Sequence, residues 1–326
     1  LGDDTSLDKL VSIIVPAYNV APEIGDCIRS VQQQTYPHWE LIVVNDESKD
    51  NTEVVVEELM RDDSRIRLVN QENGGVSKAR NTGLSKASGV YIAFLDGDDM
   101  WEPTFLDELI AAKEKSNVDM VYCGYSHLYT SGLKRGFSYP YSNGHILMDV
   151  INKTTHIHIG AILVDRSFIA QMNLSFTEGC LVAQDQEFIK KLVSRANVQA
   201  VPKELMIYRI RSGSAVRAKW NWEKHIHGIH AFRRAAEFIL AQDNPHYDKQ
   251  QLIYELNAKN ASNLYKLLWR MIKHGYQREA LTLMDDQENA FILSQLDRSK
   301  INLLQRVKYW AVRSRNNAIW RLVGFL

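Results

Sequence analysis

Five short apolar runs, at residues 11–15, 41–44, 66–69, 91–95 and 120–122, alternate with stretches whose apolar residues recur at helical spacing. Ile24, Cys27, Ile28 and Val31 share one such face, and residues 54–60, 77–87 and 105–114 are also helix-like. Runs this short and this uniformly apolar are strands covered on both faces, and helices between them make βαβ units. The pattern predicts an α/β fold with a mixed, mostly parallel sheet flanked by helices.

After Trp220 the strand-like runs stop. Helical stretches at residues 222–242, 249–273 and 301–322 follow, punctuated by Asn244-Pro245 and Gly275. We therefore expect two parts, 1–215 and an all-helical region 216–326. The three cysteines, Cys27, Cys123 and Cys180, are too few and too scattered for a disulfide scaffold or a cysteine zinc site, which favours a reducing compartment. No run of about 18 apolar residues is present to span a membrane. The opening LGDDTSLDKL lacks the basic-then-apolar order of a signal peptide. Charge is neutral overall, with 39 basic and 39 acidic residues, but unevenly spread. Seven of the basic residues and none of the acids lie at 298–326, so an acidic body carries a basic tail.

In open α/β sheets ligands bind beyond the carboxyl ends of strands. Pro16-Ala17-Tyr18-Asn19 follows the first run, Asn45-Asp46-Glu47-Ser48 the second, and Asp96-Gly97-Asp98-Asp99 the fourth. Three acids within four residues repel one another unless a cation offsets them, and a hard divalent ion completed by diphosphate oxygens is the natural partner. Alternatively, Asp98 or Asp99 caps a helix starting near Glu102-Pro103; both roles are compatible. Asn73-Gly74-Gly75 before a helix reads as a phosphate loop or as a plain turn. His156 and His158, two apart, would face one side of a strand but lack a third metal ligand.

These segments resemble family 2 glycosyltransferases. Ser12 to Asn19 (SIIVPAYN) resembles the opening strand, and Val43 to Thr52 (VVNDESKDNT) the strand-end Asp with its Ser-x-Asp-x-Thr turn. Asn73 to Gly83 (NGGVSKARNTG) is similar to a third signature, Phe94 to Asp99 (FLDGDD) to the DxD motif, and Ala183 to Phe188 (AQDQEF) to the catalytic ED-x-x-F segment. The resemblance spans residues 10–214. It implies a GT-A fold and an inverting transfer from a nucleotide-sugar, usually a UDP-sugar. Pro16, Ala17, Tyr18, Asn19 and Asp46 would hold base and ribose, with Gly75 and Gly97 in the same nucleotide site. Arg80 would lie near the nucleotide or diphosphate, Asp96 near ribose or sugar, Asp98 would ligate Mn²⁺ or Mg²⁺, and Asp185 would be the general base. Read without the resemblance, Asp185 is better taken as a helix N-cap.

Two positions depart from the family pattern. Gln184 stands where Glu is frequent, and Arg211 where a metal-binding His is frequent; Arg211 either pairs with the diphosphate or leaves the metal shell to other groups. The acceptor would be a glycan or lipid-linked hydroxyl in surface polysaccharide or lipooligosaccharide synthesis. The alternatives are a nucleotide-sugar-binding protein without turnover and a sugar nucleotidyltransferase. In the tail, Leu304, Val307, Ala311, Ala318 and Leu322 fall near one helical face, with Trp310, Trp320 and Phe325 among the basic residues. Such a helix either docks on an anionic membrane, putting a cytoplasmic enzyme on the inner face of the cytoplasmic membrane, or packs on its own domain. An acidic body without a reading motif excludes nucleic acid as the partner.

Overall fold

The computed structural model describes residues 9–136, 139–210, 220–316 and 318–320. The chain divides into two compact units between Lys219 and Trp220. The expected boundary at 215 and Arg211 both lie outside the described residues.

The first unit opens with β1 (Val11–Ala17), α1 (Ala21–Gln32), β2 (Trp39–Asn45), α2 (Thr52–Asp62), β3 (Ile66–Asn70), α3 (Gly75–Lys86) and β4 (Tyr91–Phe94). It continues through β5 (Met100–Trp101), α4 (Phe105–Ser116), β6 (Met120–Leu128), β7 (Lys134–Gly136), α5 (Leu147–Asn152), β8 (Ile162–Asp165), α6 (Arg166–Gln171), α7 (Gln184–Val193) and β9 (Val198–Arg209). One sheet runs β3-β2-β1-β4-β8-β6-β9-β5, with β7 on β6. The first four strands are parallel, with Ile14 of β1 opposite both Ile42 and Phe94. β8 then runs antiparallel between β4 and β6.

Every residue of β1 and β2 is buried, as uninterrupted apolar runs require. Alternation divides them between faces. Ile13 and Val15 pack with Ile24, Cys27 and Ile28 of α1, whereas Ile42 and Val44 pack with Ala79 of α3. Chain order reverses at β1, since β2 and β3 extend to one side of it and β4 to the other. The crevice beyond the strand ends lies at that reversal.

The second unit consists of α8 (Trp222–Ala241), α9 (Lys249–Lys273), α10 (Gln277–Asp285), α11 (Gln287–Ser294) and α12 (Leu303–Ser314). Side chains of Asn221, Asp248, Asp286 and Asn302 cap α8, α9, α11 and α12. Its core gathers Leu264, Tyr265 and Leu268 of α9 with Tyr309, Ala311 and Val312 of α12. The single helix expected over 301–322 is broken. Arg315 turns left-handed (φ 53°), and the Asn316 side chain accepts from the Ala318 amide at 2.8 Å to begin a new helical turn.

Candidate active site

The loop after β1 and the loop after β2 are sewn together by side chains. Asn19, itself left-handed at φ 51°, donates its amide to Ser48 Oγ at 3.1 Å and accepts the Lys49 amide at 2.7 Å. Asp50 accepts the amides of Ala21 and Thr52 at 3.0 Å each, and Thr52 Oγ1 accepts the Val20 amide at 2.9 Å. The Ser-x-Asp-x-Thr turn thereby fixes the backbone at Tyr18 and Asn19. Tyr18 is left half-exposed at the rim of a cleft of about 380 Å³. Pro16, Ala17, Asp46, Asn73, Gly75, Asp96, Gly97 and Asp98 are among its lining residues.

Asp46 is 2 % exposed at the end of β2. Its Oδ1 accepts Gln71 Nε2 at 2.7 Å and the Gly74 amide at 2.9 Å, and its Oδ2 accepts the Gly75 amide at 2.8 Å. A carboxylate offers about four acceptor sites, so these three bonds leave one for a ligand donor. Gly75 holds φ +81°, which a side chain would strain, to aim its amide there. Asn73-Gly74-Gly75 is thus a turn organised around Asp46: the Gly74 and Gly75 amides are spent on that carboxylate, and the Asn73 amide on Glu47 Oε2 at 3.3 Å. Gly97 is needed for closeness: a Cβ would stand 3.2 Å from the Pro16 carbonyl oxygen and from Ile24 Cδ1.

Arg80 reaches from α3 to the end of β4. Its guanidinium donates to Asp96 Oδ1 at 2.5 Å and lies 5.1 Å from the ring centre of Phe176, with Arg80 2 % exposed. Burial is the largest influence on Asp96 and opposes its ionisation, but the Arg80 charge, the His158 charge and the Arg80 hydrogen bond together hold the carboxyl below its usual range. Asn81, the next residue of the same motif, exchanges two hydrogen bonds with the Phe176 backbone, at 2.8 and 2.9 Å.

Phe176 in turn stacks on Phe188 of α7 at 4.2 Å, and Phe94 of β4 meets both rings edge-on at 5.3 and 5.8 Å. This aromatic trio locks the end of β4 to the first turns of α7. Asp96 follows Phe94 by two residues and Asp185 precedes Phe188 by three, so the trio brings the two acids into one neighbourhood. Glu187, also buried, ties the same helix down by accepting Thr177 Oγ1 at 2.7 Å and Lys191 Nζ at 2.6 Å.

Neither capping alternative holds. Helix α4 begins after Thr104 and α7 after Ala183, and neither end has a side-chain cap. Asp99 instead accepts the Arg209 amide at 2.9 Å and pins β9 beneath the acidic loop. Asp185 sits in the first turn of α7, where an acid complements the helix dipole. Its charge is felt by His156 and His158.

Burial lowers the affinity of His158 for a proton; Asp96 and Asp185 pull the other way without overcoming it. The charges of Asp96 and Asp185 thus both act on one imidazole, a role that spacing alone did not assign to His158. The Phe94–Phe176–Phe188 trio and Asn81 also escaped sequence reasoning, although Asn81 adjoins Arg80 and Phe188 closes the ED-x-x-F segment.

Among the described residues no three His, Cys, Asp or Glu side chains are grouped to hold a metal ion, so the His156/His158 pair gains no third ligand. Asp98 brings one hard carboxylate to the cleft beside Asp96. That donor set suits a Mg²⁺ or Mn²⁺ ion arriving with phosphate oxygens and water, and does not suit a protein-only cage.

The sequence profile described as Glycosyl transferase family 2 matches residues 12–170. The putative teichuronic acid biosynthesis glycosyltransferase TuaG of Bacillus subtilis (strain 168) is 34 % identical over 173 residues, 52 % of this chain and 68 % of TuaG. WfgD of Escherichia coli, a UDP-Glc:alpha-D-GlcNAc-diphosphoundecaprenol beta-1,3-glucosyltransferase, is 38 % identical over 170 residues, 52 % of this chain and 65 % of WfgD. The chain thus spans about two thirds of the length of these relatives. The crystal structure of S. aureus TarS 1–349 in complex with UDP-GlcNAc has the same fold. Its TM-score is 0.68 at 18 % identity, over 97 % of this chain and 90 % of that one.

Proposed function

This chain belongs to glycosyl transferase family 2, and from that membership we propose that it transfers a sugar from a UDP-sugar to an acceptor hydroxyl with inversion at the anomeric carbon. The observation that carries the reading is the convergence of Asp46, Asp96 and Asp98 from two strand ends on one cleft floored by Pro16 and Ala17.

In this reading the remaining acceptor site of Asp46 takes the uracil N3–H, while Tyr18, held by the sewn loops, covers the base. Asp96 is kept ionised by Arg80 and accepts from a ribose or sugar hydroxyl. Arg80, which the resemblance puts near the nucleotide or diphosphate, acts in this reading through Asp96. Asp98 would hold Mn²⁺ or Mg²⁺ together with the donor diphosphate, and that ion, when bound, offsets the charge the leaving UDP acquires. Asp185 removes the acceptor proton during in-line attack from the opposite face, for which its carboxylate must come within about 3 Å of the hydroxyl.

The activity of WfgD supports a lipid-linked or glycan acceptor in surface polysaccharide synthesis. Exposed Leu303 and Trp310 beside Arg306 and Arg313 on α12 support contact with an anionic membrane surface. Among the described residues no helix is long and apolar enough to cross one.

The direct test is a screen of UDP-sugars with Mn²⁺ and simple glycoside acceptors. Release of UDP is expected. Release of pyrophosphate would mean nucleotidyl transfer, and binding without release would mean a non-catalytic receptor.

A further inference from the structure

A second cleft, of about 390 Å³, opens among the first turn of α1, the β6–β7 turn and the end of β9. Glu23, Leu128, Tyr129, Thr130, Arg209 and Ile210 are among its lining residues, and it shares none with the donor cleft. Its volume falls within the range of about 300–1,000 Å³ usual for small-molecule sites.

The two clefts adjoin. Val20 lines the donor cleft, and its carbonyl accepts at 2.9 Å the amide of Glu23, which lines the second. Asp98 lines the donor cleft too, and its neighbour Asp99 accepts at 2.9 Å the amide of Arg209, on the wall of the second. Two hydrogen bonds thus tie one cleft to the other.

The lining is held in place. Tyr129 donates its amide to the Leu133 carbonyl and accepts the Gly132 amide, both at 2.9 Å, and Gly132 closes that turn at φ +81°. The Tyr129 ring meets His127 edge-on at 6.1 Å. Arg209 Nη2 donates to Asp26 Oδ2 at 2.9 Å and touches Met100 Sδ at 3.3 Å. The other guanidinium nitrogens find no acceptor among the described residues.

Charge decides what such a cleft can hold. Asp26 also accepts Arg29 Nη2 at 2.8 Å, so two acids, Glu23 and Asp26, stand against two arginines, Arg29 and Arg209. A phosphate or diphosphate would need a net positive wall. A carboxylate and a guanidinium in balance, beside a phenol ring, the Thr130 hydroxyl and two aliphatic side chains, match a neutral ring rich in hydroxyls. Each sugar hydroxyl can donate to the carboxylate or accept from the guanidinium, and its C–H face can rest on the aromatic ring.

We propose that this second cleft is an acceptor subsite, which holds one neutral hexopyranose unit of the acceptor glycan beside the donor. The inference rests on the sugar-transfer reading above.

Saturation-transfer NMR with the methyl glycosides of glucose, galactose and N-acetylglucosamine, in buffer with UDP and Mn²⁺, measures glycoside affinity with the donor cleft occupied. At least one glycoside should bind the wild type. Tyr129→Ala and Glu23→Gln should each weaken it about five- to tenfold, and Thr130→Trp, which fills the cleft, should abolish it. UDP affinity by calorimetry should stay at the wild-type value in all three, which also reports that they fold.

Glycoside binding that survives Thr130→Trp would place the sugar elsewhere and overturn the proposal. Binding of no glycoside by a wild type that binds UDP would overturn it too, and leave the donor site standing. Tighter binding of methyl glucuronide than of the neutral glycosides would overturn the choice of a neutral sugar. Failure of the wild type to bind UDP would overturn the underlying donor reading.

Discussion

The Arg80 guanidinium lies 2.5 Å from Asp96 Oδ1, at a point where the arginine is 2 % exposed and the acid faces the cleft. Its Nε and Nη1 have no hydrogen-bond partner among the described residues. So little of the guanidinium is bonded that its main service is its charge, which keeps Asp96 ionised.

Removing that charge should therefore be worse than removing both partners. Arg80→Ala leaves Asp96 ionised or protonated without a cation and should cost about 3 kcal/mol of stability. Arg80→Ala with Asp96→Asn should cost less than the sum of the single changes, because the stranded charge is gone. Urea unfolding of the four proteins checks this; strict additivity would show that the pair is not coupled.

Asp50 holds no ligand in our reading, yet it should matter for nucleotide binding. It accepts the Ala21 and Thr52 amides that join the loops around Tyr18. Asp50→Ala removes the acceptor that joins the two loops, hands the exposed Ala21 amide to water and loosens Tyr18. We expect UDP affinity to fall about tenfold by calorimetry, equivalent to about 1.4 kcal/mol. Unaltered affinity would show that the sewn loops do not shape the base site.

Stability should respond to acid in two stages. Burial holds His156 and His158 below the ordinary histidine value, so the unfolded chain binds their protons more readily. Stability should thus be level above about pH 6.5 and decline as pH falls below it. Asp96, held below the ordinary carboxylate value, adds stability that is present above about pH 4 and is lost on further acidification. Denaturant midpoints from pH 8 to 2 check both stages, and His156→Gln with His158→Gln should reduce the first, to which His127, His225 and His230, also lowered by burial, contribute the rest. A first stage undiminished in the double variant would contradict this assignment.

The tail cannot be tested by deletion. Tyr309, Ala311, Val312 and Trp320 belong to the core of the helical unit, and Trp320 Nε1 donates to the Ala311 carbonyl at 2.7 Å. Of the two readings of the tail, Trp320 thus follows the packing one. The exposed set is Leu303, Leu304 and Trp310, with Arg306 and Arg313 alongside. Leu303→Ser with Trp310→Ser should abolish sedimentation with phosphatidylglycerol vesicles and leave UDP binding intact. Sedimentation equal to wild type would remove the membrane from the picture.

Much of this was legible in the sequence because strands buried on both faces have an unmistakable signature, and because the first four parallel strands place their ends on one side. Asp46, Asp96 and Asp98 were singled out that way, and all three line one cleft. Arg80 was found too, but its partner was not, since charge alone does not reveal whether an arginine meets a ligand or an acid. The aromatic trio joins residues up to 94 positions apart, and no local pattern announces such a contact. His158 looked like half of a poor metal pair because spacing reports which residues share a face, not what lies opposite. In the tail, helical periodicity ran through Arg315 without registering the left-handed turn there.

The central claim is that Asp185 is the base of a sugar transfer from UDP. Its most direct measurement is UDP release from the preferred UDP-sugar in the presence of acceptor, by wild type and by Asp185→Asn, with UDP affinity measured on both. We expect the variant to bind UDP as the wild type does and to release it at least about 100-fold more slowly, the loss typical of removing a general base. Release at the wild-type rate by Asp185→Asn would contradict the claim.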